Sequence, residues 1–237
     1  MEQLAQKILA LVKAMVPGRF TTEPATPATH PHADWKAYAR VGQLADSLGL
    51  QHLGDVDVTS VHQDSSMTKR AVLAVFVNDD GTEIIGHYRM ALRWTPTGIL
   101  ARFLGGSGDV FDVGTNFGGG QGVLLETTTA QASSVWSMPD FVIRETLTRG
   151  TSLEHALERH RDRVREYRAQ NRSARPTVVR TLSDVFAISD AMERRKLAWR
   201  RDLGWAAPDE LARVTRLSGP AFDQFYEAFR NAASRSD

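Results

Sequence analysis

Residues Asn78-Asp79-Asp80-Gly81 stand between two apolar runs, Ala71 to Val77 and Thr82 to Trp94, and this limits the possible folds more than any other feature of the chain. Asp-Gly supplies the positive backbone dihedrals that a tight turn demands, so the two runs are predicted to pair as an antiparallel hairpin. Upstream, Val56, Val58 and Ser60 alternate with Asp55, Asp57 and Thr59, the period of a half-buried strand. Downstream, Val110 to Phe117 and Val123 to Thr129 read as two more strands joined by Gly118-Gly119-Gly120-Gln121-Gly122, with a short helix over Thr97 to Leu104 before them. The expected sheet is a meander of about five antiparallel strands.

Helical signals flank this region. Leu4, Ile8, Leu11, Val12 and Met15 recur at helical spacing and are stopped by Pro17-Gly18, which predicts a short amphipathic helix that caps the protein's own core. Thr21 to Pro31 holds three prolines and reads as an extended strap that is neither helical nor sheet-forming. Asp34 is placed to cap a helix with Trp35, Tyr38, Val41, Ala45 and Leu48 on one face and Gly49 at its left-handed end.

From Thr151 onward the period becomes helical. Thr151 and Glu154 have capping-box spacing, and Leu153, Leu157, His160, Val164 and Tyr167 form a seam suited to packing on another helix. Thr181 and Asp184 repeat the cap before Val185, Ile188, Met192, Trp199 and Leu203, with Gly204 closing that helix. Pro208 opens a third helix through Leu217, and Phe222, Phe225, Tyr226 and Phe229 stripe a fourth, as a core face does. The fold expected is α+β, an antiparallel sheet with flanking helices followed by a helical C-terminal part. Its organisation is read as residues 1–32 (helix and strap), 33–150 (sheet domain) and 151–237 (helical basic region).

With 237 residues, 42% of them hydrophobic, the chain can bury a real core. It has no cysteine, which excludes disulfides, thiolate metal sites and a cysteine nucleophile together. The N-terminus does not read as a secretory signal and no run approaches the ~20 apolar residues of a membrane-spanning helix, so a cytoplasmic location without a membrane span is expected.

Charge is segregated. Between Arg159 and Arg201 lie thirteen basic residues against five acidic ones, a formal +8; the chain totals +1, so the remainder carries −7. Arg161, Arg165, Arg168 and Arg172 step by four, three and four, which predicts one arginine row on an exposed helix face. Arg194, Arg195, Lys196, Arg200 and Arg201 surround Trp199, a setting for stacking on, or pairing with, phosphate or carboxylate groups.

Other candidate chemistry is thinner. His30, His32 and Asp34 have a spacing that could converge on zinc, but proline interrupts the pair within a strap and Asp34 is wanted as a helix cap. His52, His62 and His87 form no set with Asp55 or Asp64. The glycines at 118–122 lead into a strand rather than a helix, so they make a hairpin loop and not a phosphate cradle. Gly105-Gly106-Ser107-Gly108 lacks the spacing of a nucleophile elbow, and Asp79-Asp80 and Asp209-Glu210 belong to a turn and a helix start. Residues 208–230 approximate a helix-turn-helix, with Arg216 where glycine is usual and Asp223, Gln224 and Glu227 where a DNA-facing helix would carry cations.

No catalytic signature and no cofactor or metal motif emerges. The function expected is therefore that of a non-catalytic interaction or scaffold protein whose basic helices dock on an acidic protein surface, another copy of this chain included. Nucleic-acid binding through the same arginines is the first alternative. An enzyme whose site is scattered through the fold, and so leaves no linear trace, is the second.

Overall fold

The computed structural model describes residues 1–14, 16, 18–58, 72–89, 108–130 and 136–235. Among these it contains six helices and one seven-stranded sheet. The chain divides into two compact units: Phe20–Gln131 with Asp140–Ser189, and Met1–Arg19 with Ala132–Pro139 and Asp190–Asp237.

The sheet unit holds β1 (Thr22–Pro24), β2 (Leu50–Val58), β3 (Val72–Asn78), β4 (Ile84–Arg89), β5 (Asp109–Asn116), β6 (Leu124–Thr128) and β7 (Val142–Thr146), paired in that order. β2 to β6 form the expected antiparallel meander. The sheet exceeds it at both edges and is mixed. β1 lies within the strap, where Pro24 is tolerated because an edge strand need not donate from every residue. β7 pairs parallel with β6, a strand that the linear pattern did not mark because its exposed edge residues break the alternation. The helix expected over 97–104 lies outside the described residues, as do Ser60, the end of the Thr82 to Trp94 run, His62 and Asp64.

The Asn78–Gly81 turn is closed as its chemistry requires. Gly81 N–H donates to Asn78 O at 2.8 Å, and Asn78 Oδ1 accepts from the amides of Thr82 and Glu83. Gly81 has φ +73°, and a Cβ there would lie 2.4 Å from Val179 O. The hairpin tip thus receives residues 177–181, with Val179 N–H donating to Gly81 O at 2.8 Å.

Helix α2 (Trp35–Ser47), capped by Asp34 through Ala37 N–H, covers one face of the sheet. The next helix in this unit, Leu153–Gln170, covers the same face; Tyr38, Val41, Ala74, Phe76, Ile85, Phe111, Leu153 and Leu157 are among its core. On the opposite face Val75 and Val77 meet Val179, Val185, Leu182 and Ile188. β3 is thus buried on both sides, which is why its sequence is a continuous apolar run rather than an alternation.

The helical unit opens with α1 (Glu2–Ala14). Its buried face is Ala5, Ile8, Leu9 and Val12, so the stripe is rotated from the one expected: Leu4 and Leu11 are exposed. Numbering the remaining helices in chain order, α3 is Leu153–Gln170, α4 is Leu182–Asp202, α5 is Pro208–Thr215 and α6 is Gly219–Ser234. α4 contributes residues 182–189 to the sheet unit and 190–202 to the helical one. Phe225 and Phe229 of α6 are fully buried with α1, Leu211 and Trp205, as an aromatic stripe predicts. Arg216 ends α5 in the left-handed region at φ +56°, the place glycine takes in a DNA-reading turn.

Capping differs in one place. Ser152, not Thr151, caps α3, accepting from His155 N–H at 3.3 Å, while the Thr151 hydroxyl donates to Thr148 O. The cap at α4 is reciprocal as expected: Asp184 N–H donates to Thr181 Oγ1, and Thr181 N–H to Asp184 Oδ2.

Candidate functional site

α3 meets the sheet through its seam, rather than another helix. His160, fully buried, lies between Thr115 Oγ1 at 2.9 Å and Thr127 Oγ1 at 3.1 Å. Burial, aided by the charges of Arg163 and Arg161, pushes this imidazole down to about 3. It is therefore neutral, one ring nitrogen donating and the other accepting. Arg163, also buried, donates to Thr127 Oγ1 and Ile143 O at 2.8 Å each and pairs with Glu145 at 3.2 Å. Arg159 donates to both oxygens of Glu145 at 3.0 Å. These two arginines fasten α3 to the edge strand β7.

The outward face carries the expected row, in unequal states. Arg161 is bidentate on Glu83, with Nε 3.0 Å from each oxygen and a second nitrogen at 2.9 Å. Arg165 is 73% exposed and pairs with Asp162, one turn back on its own helix. Arg168 and Arg172 are exposed and enter no ion pair among the described residues. Arg172 lies in the turn beyond Gln170, where its carbonyl accepts from Arg175 at 2.8 Å.

The second basic set lies in the part of α4 that belongs to the helical unit. Lys196 pairs with Glu193 at 2.8 Å. Arg200 is buried, its NH1 2.9 and 2.8 Å from the two oxygens of Glu210, and its NH2 donates to Ser137 O. Its guanidinium lies 4.6 Å from the Trp199 ring centroid, so that indole stacks within the chain. Arg195 approaches Met192 Sδ at 3.7 Å, Arg194 is exposed, and Arg201 is exposed and 5.9 Å from the Trp205 ring. The ten residues of the basic set therefore fall into two groups, one on each unit, and Arg161, Lys196 and Arg200 are each held by a carboxylate of this chain.

The histidine set of the strap is dispersed. His30 Nε2 is 3.2 Å from Asp57 in the buried interior and its Nδ1 2.9 Å from Thr29, while Asp34 caps α2 and pairs with Arg89. Among the described residues no group of three His, Asp or Glu could hold a metal ion. His52 pairs with Asp55 at 3.1 Å across a β-bulge, which linear spacing did not suggest. The glycine loop clasps the segment after α3: Gly119 N–H donates to Thr177 Oγ1 at 2.8 Å, and Gly118, Gly119 and Gly120 all have positive φ.

Two titratable clusters escaped the sequence reading. His87 is buried between the rings of Tyr38 and Phe111, with Nε2 3.0 Å from Asp109, and burial holds it below its ordinary value against the pull of that carboxylate. On the other face of the sheet Asp112 stands near Glu126. Burial first, then the Glu126 charge, raises Asp112 to about 6, while the Thr128 hydroxyl donating to it and the charge of Arg144 act the other way. Arg144 in turn donates to Glu126 at 2.8 Å, and the Tyr88 phenol is raised by burial in the same neighbourhood. Only strand register brings these residues together: Asp112 faces Thr128 across β5–β6, and Glu126 faces Arg144 across β6–β7. No protein-family model matches this chain, and neither the curated proteins nor the solved structures provide a significant match.

Proposed function

We propose that this chain is a non-catalytic docking protein and that the outer face of α3 receives an acidic surface of a partner protein. The observation that supports this is the division among its arginines. Arg159, Arg161 and Arg163 are spent on Glu145 and Glu83, whereas Arg168 and Arg172 stay exposed without a carboxylate among the described residues and Arg165 answers only its own helix. A guanidinium is weakly hydrated and presents a planar fork that matches a carboxylate, so the exposed Arg165, Arg168 and Arg172 suit such a surface.

Retention of the full chain on immobilised polyglutamate, duplex DNA and heparin at low salt tests the reading. Retention on polyglutamate that the Arg165→Ala/Arg168→Ala/Arg172→Ala variant loses is the expected result. Stronger, salt-steep retention on duplex DNA through the same arginines would transfer the surface to nucleic acid. Retention on none of the three would remove it.

One observation favours a second reading. A carboxyl raised to about 6 beside a second carboxylate, an arginine and a phenol has the make-up of an acid–base centre. In that reading Asp112 is the group that exchanges the proton, and Arg144 pairs with Glu126 beside it. Hydrolysis of a broad panel of ester and glycoside substrates that Asp112→Asn abolishes would support it; no turnover of any of them by the wild-type chain would count against it.

A further inference from the structure

We infer that the acidic partner of α3 is α3 of a second copy, the two helices lying antiparallel about a two-fold axis near Arg163. This rests on the docking reading above and names its partner.

The argument starts from which residues share the exposed face. Leu153, Ala156, Leu157, His160 and Arg163 are turned into the protein, so the helical period puts Glu154, Glu158, Asp162, Arg165 and Glu166 on the opposite side, with Arg168 at its flank. Glu158 is 77% exposed and Arg165 73%; Glu154 and Arg168 are also exposed. Among the described residues the ionic neighbour of Glu158 is His155 at 3.9 Å, and Glu154 has none. Asp162 and Glu166 on this face are answered within the helix by Arg165 and Arg159, so the charges left over are acidic in the first half and basic in the second.

A helix's own dipole favours acid in the first turn and base in the last, but that effect fades beyond those turns. Glu158 and Arg165 lie between those turns, so the dipole leaves their sorting unexplained. A two-fold axis explains it. Closed dimers form through self-complementary surfaces, in which residue i meets j and j meets i. Placing the axis at Arg163 sets Glu158 opposite Arg168 of the second copy and Glu154 opposite Arg172 in the turn after the helix. Each contact occurs twice, and the two Glu158–Arg168 pairs lie about 15 Å apart at 1.5 Å rise per residue. The same register brings Arg161 towards Arg165, but Arg161 already carries Glu83 and Arg165 carries Asp162, which screens that like-charged approach. One exposed helix face is small for a stable interface and is almost wholly polar. The dimer is accordingly weak and salt-sensitive.

Sedimentation equilibrium of the full chain at ~50 and ~500 mM salt tests this, since screening shortens as salt rises. The expected result is a mass that climbs towards the dimer with concentration at low salt and stays monomeric at high salt. Glu158→Arg and Arg168→Glu should each abolish association, and the double variant Glu158→Arg/Arg168→Glu should restore it with the charges exchanged. Both positions of substitution are exposed, and far-UV circular dichroism confirms the fold of each variant. A wild-type chain that is monomeric at low salt overturns the inference, as does a double variant as monomeric as its parents, or single variants that still dimerise. Should the chain be monomeric yet retained on polyglutamate through Arg165, Arg168 and Arg172, self-pairing falls while the docking reading stands. Should it neither dimerise nor be retained, both fall.

Discussion

Arg200 and Glu210 should prove unequal partners. Arg200 lies 5% exposed and Glu210 0%, and both charges are out of water. Removing one partner of a buried pair costs about 3–5 kcal/mol, because the other is left charged and uncompensated. What remains around each decides where in that range it falls. Without Arg200, Glu210 still accepts the amide protons of Ala207, at 2.8 Å, and of Ser137. Without Glu210, the Arg200 guanidinium keeps the carbonyl of Ser137 and a distant one at Trp205, while those two amides lose their acceptor. Arg200→Ala is therefore expected near 3 kcal/mol and Glu210→Ala near 5 kcal/mol, the two ends of the range for a broken buried pair.

Urea unfolding followed by tryptophan fluorescence reports this, since Trp136, Trp199 and Trp205 all belong to the helical unit. With a slope of about 1–2 kcal/mol per molar urea, the midpoint for Arg200→Ala should fall by roughly 1.5–3 M and that for Glu210→Ala further. A fall below about 0.5 M for Arg200→Ala, on the same slope, would show that the pair is not buried as described. A milder effect of Glu210→Ala than of Arg200→Ala would refute the accounting of what each partner leaves behind.

His160 is held neutral with its pKa pushed down to about 3, below the unfolded value of 6.5, so the stability it permits is complete above pH 6.5 and is lost as pH falls towards 3. Between pH 6.5 and 5 the loss is roughly 2 kcal/mol, at about 1.4 kcal/mol per pH unit, and His160→Gln should flatten that limb in pH-dependent urea titrations; an unchanged limb would mean that the imidazole is not the group titrating. Asp112 has the opposite sign. Its folded value of about 6 exceeds the unfolded 3.8, so the native state is penalised as pH rises from 3.8 through 6, and Asp112→Asn should be more stable than wild type by about 3 kcal/mol at pH 8 and level with it below pH 3.8. A variant less stable at pH 8 would mean that Asp112 is better satisfied as an anion than its surroundings indicate. Gly81→Ala meets both a positive φ and the Val179 carbonyl, whereas Gly119→Ala meets only the φ, with nothing within 4 Å of its Cβ. The first should cost at least ~3 kcal/mol and the second ~1 kcal/mol by thermal unfolding, and equal costs would show that residues 177–181 do not pack on the hairpin tip.

The parts of this fold that local chemistry determines were legible from the residues alone. The Asn78–Gly81 turn, the cap at Asp34 and the paired cap of Thr181 and Asp184 each involve groups a few residues apart, and each forms as its side chains require. The aromatic stripe of α6 likewise had to be buried somewhere. What escaped depends on pairing across the chain. β7 joins the sheet parallel to β6, and a five-residue edge strand with three exposed positions does not alternate in a way that announces it. The strap became a strand because β2 offered it an open edge. In α3 the seam was visible but its partner was not. His160 takes two threonine hydroxyls from neighbouring strands, which no helix-to-helix pattern would have suggested.

The charged residues carry the same lesson to function. A surplus of +8 within one stretch states how many cations a segment holds, not how many it can offer. Arg161 finds Glu83 from 78 residues away, and Arg200 of α4 finds Glu210 of α5. Such carboxylates lie at the β3–β4 hairpin and in the helical interior, so part of the −7 carried elsewhere is already spent on this stretch. Subtracting those pairs, and the pairs of Arg165 with Asp162 and Arg159 with Glu166 within α3, leaves a smaller and more informative pattern on that helix: carboxylates towards its start, guanidiniums towards its end, both facing water. A surface of that kind cannot satisfy itself along one straight helix, because its two halves point the same way and are separated by the length between them. It can be satisfied by an inverted copy. Restoration of association in the doubly exchanged Glu158→Arg/Arg168→Glu chain is thus the decisive observation, since no general attraction to acidic material would distinguish that variant from the singles.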